Sequence, residues 1–160
     1  MAEAGKQKPG FNIIRRRIAI VISQWIAIKI AKEKKPIVYQ VFQHLLDSSD
    51  PLNDQVVRVT AGRRFKDIAD EWEFHADNFL PYAPTTLERL MALVREVDLP
   101  DTKMALLSTI SIMVERLEHH VSQVYLTMMI HADIHRLHHM QTASSVCYHL
   151  CGTSLAKNIS

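Results

Sequence analysis

DQVVRVTAGRRFKDIA, residues 54–69, decides the fold. An acid at its head can accept hydrogen bonds from the backbone N–H groups that open a helix. Behind it Val56, Val57, Val59, Ala61, Phe65, Ile68, Ala69 and then Trp72 return at three- and four-residue steps, the period of a helix with one buried stripe. Gly62 weakens that helix slightly without breaking it.

Upstream, DSSDPLND (residues 47–54) is turn chemistry, because Asp, Ser and Asn close local hydrogen bonds and Pro51 blocks continuation of a helix. Before it, Pro36 suits the first turn of a helix whose buried face is Ile37, Val38, Val41, Phe42, Leu45 and Leu46. Earlier still, from Asn12 to about Lys32, Ile14, Ile18, Val21, Ile22, Trp25, Ile26 and Ile28 keep a helical period, widened by Ile13, Ile20 and Ile30. Some twenty residues of this pattern are too many for a strand of the usual four to eight. A band this wide calls for neighbours on more than one side.

Downstream, His75 to Ala83 is a connector containing the apolar piece Phe79-Leu80-Pro81-Tyr82. Pro84 suits a helix start, Leu87, Leu90, Met91, Leu93, Val94 and Val97 mark the helix, and Asp98-Leu99-Pro100-Asp101 stops it. Asp101 or Thr102 is expected to cap a fifth helix that buries Met104, Leu106, Leu107, Ile110, Met113, Val114 and Leu117. Trp25 and Trp72, both in apolar stripes, are expected in the core. The reading is all-α: one helix, then two antiparallel helix pairs. Helices starting near Asn12, Asp54 and Thr102 lie 42 and 48 residues apart, close to the roughly 40–47 residue period of helical-hairpin repeats. Residues 1–10, ending in Pro9-Gly10, read as a flexible lead-in, 11–120 as the repeat domain, and 121–160 as a divergent, partly helical tail.

Composition agrees with one globular domain: 160 residues, 48% hydrophobic and 22% charged, with only four glycines and six prolines for tight turns. Cys147 and Cys151 sit four apart, unlike a disulfide framework, so a reducing compartment is expected. Ile18 to Ile30 is the most apolar run, but thirteen residues holding Ser23, Gln24 and Lys29 fall short of the ~20 that span a bilayer. It also lacks a small-residue signal-cleavage site. The net charge of +2 is unevenly spread. Residues 1–35 carry nine Lys/Arg against two acids, 36–120 eight against fourteen, and 121–160 two against one. A pI near 8.6 falls short of a dedicated nucleic-acid domain, which makes proteins the expected partners, with no specific nucleic acid.

Four stretches in order, IIRRRIAIVISQW (13–25), DQVVRVTAGRRFKDIADEWEF (54–74), FLPYAPT (79–85) and DTKMALLSTISIMVERL (101–117), resemble a segment of importin-beta superfamily receptors of the importin eleven type, called karyopherins in fungi. The resemblance covers about residues 11–120. It implies HEAT-type antiparallel helical hairpin repeats, an α-solenoid fragment of about two and a half repeats, in which DQVVRVTA is a second repeat helix. It also implies a receptor that carries cargo protein between cytoplasm and nucleus through the nuclear pore, under Ran GTPase control, with no enzymatic activity or cofactor. The family's Ran-binding N-terminal helices have no counterpart in these residues, and 121–160 do not match the family pattern. The alternative is a free-standing helical-repeat binding module or an inactive fragment.

Candidate contact residues follow from charge. Arg15 and Arg16 can meet an acidic partner, although Arg15, Arg16 and Arg17 fan round a helix at 100° steps. At least one of the three, with Arg17 in the position matching Arg58, is expected to pair with an acid between repeats. Asp67, Asp70, Glu71 and Glu73, with Asp77 nearby, can hold a basic segment of cargo or form a solvated helix end. In the tail, His131, His135, His138, His139 and His149 with Cys147 and Cys151 suggest a metal, but no paired ligand frame accompanies them, and none is expected to bind. His149 beside the two cysteines lacks an orienting acid and an oxyanion donor, and the chain has no phosphate loop or nucleophile elbow, so no catalytic residue is assigned.

Overall fold

A computed structural model describes residues 10–120 and positions 122, 124, 125 and 128. Six α-helices occur among the described residues: α1 (Phe11–Lys29), α2 (Lys35–Leu45), α3 (Gln55–Ala69), the single turn α4 (Ala76–Phe79), α5 (Ala83–Glu96) and α6 (Pro100–Arg116). They are HEAT-type helical hairpins. α2 folds back on α3 and α5 on α6, while α1 and α6 lie on either side of α3. The side chain of Asn12 donates to Asp54 at the N-terminal end of α3, and Arg116 at the end of α6 donates to the carbonyl of Asp70. Their like ends meet, so α1, α3 and α6 run parallel.

Local chemistry explains most boundaries. Asp54 caps α3, its carboxylate accepting from the Val57 N–H at 2.7 Å. Pro36 and Pro84 stand in the first turns of α2 and α5, where a missing N–H costs nothing. The same preference corrects the start of α6: neither Asp101 nor Thr102 caps it, because the helix opens one step earlier on Pro100, with Leu99 at the cap position.

The expected burial holds for the centre of the array and fails at its outer helices. Val57, Ala61, Phe65, Ile68, Leu90, Leu93, Leu106 and Met113 are buried. In α1 the buried stripe is Arg15, Ala19, Ser23 and Ile26, while Ile13, Ile14, Val21 and Trp25 are about half exposed. The isoleucines offered several equivalent stripes, and the helix turns its small side chains to α3. Likewise Met104, Leu107 and Val114 of α6 and Ile37, Val56 and Met91 elsewhere are exposed, since each points away from the packed helices. Trp72 is 95% exposed because α3 ends at Ala69 and the helical period no longer holds beyond it.

Two interactions fix the centre. Gly62 lies where α3 meets its neighbours: a Cβ there would sit 2.6 Å from Leu106 Cδ2 and 3.0 Å from Leu90 Cδ2, both in fully buried side chains. Next to it on the buried side of α3, Tyr39, Phe42, Phe65, Phe74, Phe79 and Tyr82 form one aromatic cluster, with Tyr39 and Phe79 edge to face at 5.1 Å. Burial, and secondarily the charge of Glu71, pushes the Tyr39 phenol up to about 12. Beside the cluster Lys35, 1% exposed, gives 2.8 Å hydrogen bonds to both carboxylate oxygens of Glu71 and a third, at 3.3 Å, to the Glu73 carbonyl.

Urea unfolding checks both features. Gly62→Val is expected to lose about 2 kcal/mol by overpacking a core with no room for it. Unchanged stability would mean the leucines shift freely. Glu71→Gln, which strands the buried ammonium, is expected to cost about 3 kcal/mol. Glu73→Gln, at an exposed carboxylate 3.5 Å from the same nitrogen, should cost under about 1 kcal/mol. Equal losses would show that Glu71 is not the main partner.

Candidate partner-binding surface

The six charged candidates separate into internal and surface groups. Arg15 is 5% exposed and lies in the stripe α1 turns inward. Its guanidinium donates to Asp50 at 2.8 Å and to the side-chain oxygen of Asn53. It is therefore Arg15, not Arg17, that joins α1 to the next hairpin. Of the three consecutive arginines Arg15 is the buried one, because it shares a line with Ala19 and Ser23. Glu71 is likewise internal, held by Lys35.

Arg16, Asp67, Asp70 and Glu73 are at the surface. Asp70 lies at the C-terminal end of α3, its carboxylate 3.5 Å from the Arg116 guanidinium, and Glu73 is beside the exposed Trp72. Arg16 and Asp67 belong to another feature. With Ile20, Val56, Val59, Thr60, Arg63, Arg64, Lys66, Ala105 and Ser108 they line an open groove of about 600 Å3 along α3, between α1 and α6. Arg63, Arg64 and Lys66 escaped assignment from sequence, although GRRFK stands in the stretch that defines the helix. The signal was there: a basic run on a helix whose stripe faces inward must show cations outward.

Inter-repeat ion pairs hold this surface in register. Arg58 makes a two-pronged contact with Glu96, with both N···O distances 2.5 Å. Arg89 donates to Asp47 at 2.7 Å and to the Gln43 carbonyl. Four carboxyls rest below the usual range. For Asp47 the Ser49 hydroxyl is the main cause, and for Glu96 the Arg58 hydrogen bond is. For Asp50 and Asp54 burial pushes upward most strongly but is outweighed by the combined bonds and charges of Arg15 and the Leu52 N–H, and of Asn12, the backbone of Val56 and Val57 and Arg16, respectively.

Among the described residues no group of three or more His, Cys, Asp and Glu is placed to hold a metal. The tail histidines and cysteines lie outside the described residues. No described helix is long and apolar enough to cross a membrane.

Carboxyls that are harder to protonate when folded give stability that is present above their unfolded values and lost as pH falls through the folded ones. The melting temperature is therefore expected to drop between about pH 5 and pH 2. Asp50→Asn should lower it near neutrality and flatten that decline, and a decline unchanged in the variant would exclude the Arg15 pair as a contributor.

Comparison with known proteins supplies relatives. Importin-11 of Mus musculus is 36% identical over 106 residues, covering 66% of this chain and 10% of that protein. Importin beta-like protein KAP120 of Saccharomyces cerevisiae is 32% identical over 101 residues, 62% of this chain and 10% of its own. Importin beta-like protein kap113 of Schizosaccharomyces pombe is 29% identical over 117 residues, 73% of this chain and 12% of its own. The chain thus spans about a tenth of the length of these relatives. No family model and no solved structure matches it.

Proposed function

By sequence similarity the chain belongs to the importin-beta family, and from that premise we propose that it forms part of a nuclear transport receptor. Such a receptor holds cargo protein noncovalently, passes between cytoplasm and nucleus by contact with nuclear pore proteins, releases cargo under Ran GTPase control and catalyses no reaction. The observation that carries the reading is similarity to several such proteins over 101 to 117 residues of a chain folded as stacked helical hairpins. Stacked hairpins give an extended surface suited to a protein partner. In this reading Arg16, Asp67, Asp70 and Glu73 touch cargo, which their exposure supports, whereas the buried Arg15 and Glu71 hold the array together.

The test uses an antibody raised against residues 84–118 to recover the endogenous polypeptide with its bound proteins. Adding Ran locked in its GTP form is expected to elute partner proteins that Ran bound to GDP leaves in place. Identical elution by both forms would overturn the transport reading.

A further inference from the structure

We propose that the groove along α3 binds an acidic segment of a partner protein, one with apolar side chains among its acids. The proposal stands on the groove itself and does not need the transport reading. Arg16, Arg63, Arg64 and Lys66 line it, against Asp67 as its single acid. Asp67 is already engaged, 3.3 Å from Arg64. Arg16 and Arg63 are exposed, and among the described residues neither guanidinium donates a hydrogen bond to a carboxylate. Arg63 and Arg64 are consecutive on a helix and so diverge by about 100°, which spreads positive charge across the groove.

The floor completes the fit. Ile20, Val56 and Val59 form an apolar strip, and Ala105 and Ser108 keep the α6 wall low. The Thr60 hydroxyl is turned back onto the Val56 carbonyl at 2.7 Å, so it presents its methyl group and not a free donor. A volume near 600 Å3 lies within the roughly 300–1,000 Å3 of ligand sites. Cations round an apolar strip match a peptide that alternates acids with aliphatic residues, each carboxylate accepting charge-assisted bonds from a guanidinium fork. Single-stranded nucleic acid is the weaker match, because its binding sites add aromatic side chains on which bases stack, and no lining residue is aromatic.

Fluorescence anisotropy on the 160-residue chain tests this with three labelled probes: a peptide alternating Glu or Asp with Leu, the same peptide with Lys for every acid, and oligothymidine. The acidic peptide is expected to bind, more weakly as salt rises, and the lysine peptide not to bind. The double variant Arg16→Glu with Arg63→Glu should raise the Kd of the acidic peptide at least about tenfold. Lys32→Glu, an exposed change outside the groove, should leave it within about twofold. Should circular dichroism show the double variant unfolded, Arg63→Gln is read in its place, with an expected rise of about threefold. Tighter binding of oligothymidine, equal binding of both peptides, no binding of the acidic one, or a Kd that ignores the arginines would each overturn the proposal.

Discussion

Asn53 ties together the three helices that meet at one end of the array. Its side-chain nitrogen donates to the carbonyls of His44, in the last turn of α2, and of Asp47, just beyond it, at 2.7 and 3.0 Å. Its side-chain oxygen receives Arg15 of α1, and its backbone carbonyl receives the Arg58 Nε at 3.1 Å. The neighbouring Asp54 caps α3 and receives Asn12. Two adjacent residues thus stop one helix, start the next and set the height at which α1 stacks. A shift of either would take from the buried Arg15 guanidinium one of its two acceptors, or from α3 its cap.

Once the ends are fixed, small residues decide how close the helices come. Ala61 and Gly62 on α3 and Ala19 and Ser23 on α1 are buried without bulk, so backbones approach and the leucines of α5 and α6 close over the glycine. The aromatic cluster and the Lys35–Glu71 pair seal the side of α3 that faces α2 and α4. α3 is enclosed there and flanked by α1 and α6, which leaves one strip of it open.

What was legible follows from range. The order of helices, the Asp54 cap and the prolines in first turns are local effects, written within four residues of where they act. The facing of α1 was not legible. Isoleucines surround that helix, and the stripe it buries contains an arginine and a serine that burial preference alone would place outside. Arg15 is tolerated there because Asp50 and Asn53 wait more than thirty residues later. Lys35 and Glu71 pose the same problem, a buried pair whose members look like surface residues until folding joins them. The expectation of a buried Trp72 came from carrying a helical period past Ala69, where the helix stops. Of the groove, Arg16 and Asp67 were singled out for opposite reasons, and no sequence pattern says that residues 51 apart share a wall.

That sharing resolves an apparent conflict in the charges. Residues 36–120 carry more acids than bases, yet the open strip of α3 is basic. Four of the acids are drawn inward and to the seams: Asp47 and Asp50 take Arg89 and Arg15 at the end of α2, Glu71 takes Lys35, and Glu96 takes Arg58. Each such pair joins one hairpin to another or closes a helix end, so these carboxylates act as fastenings. Arg16 of α1 and Arg63 and Lys66 of α3 instead line the groove, exposed among the described residues. Net charge by segment therefore does not give the sign of a particular surface, because four of the carboxylates are neutralised in these pairs while the cations of the groove are gathered on one strip.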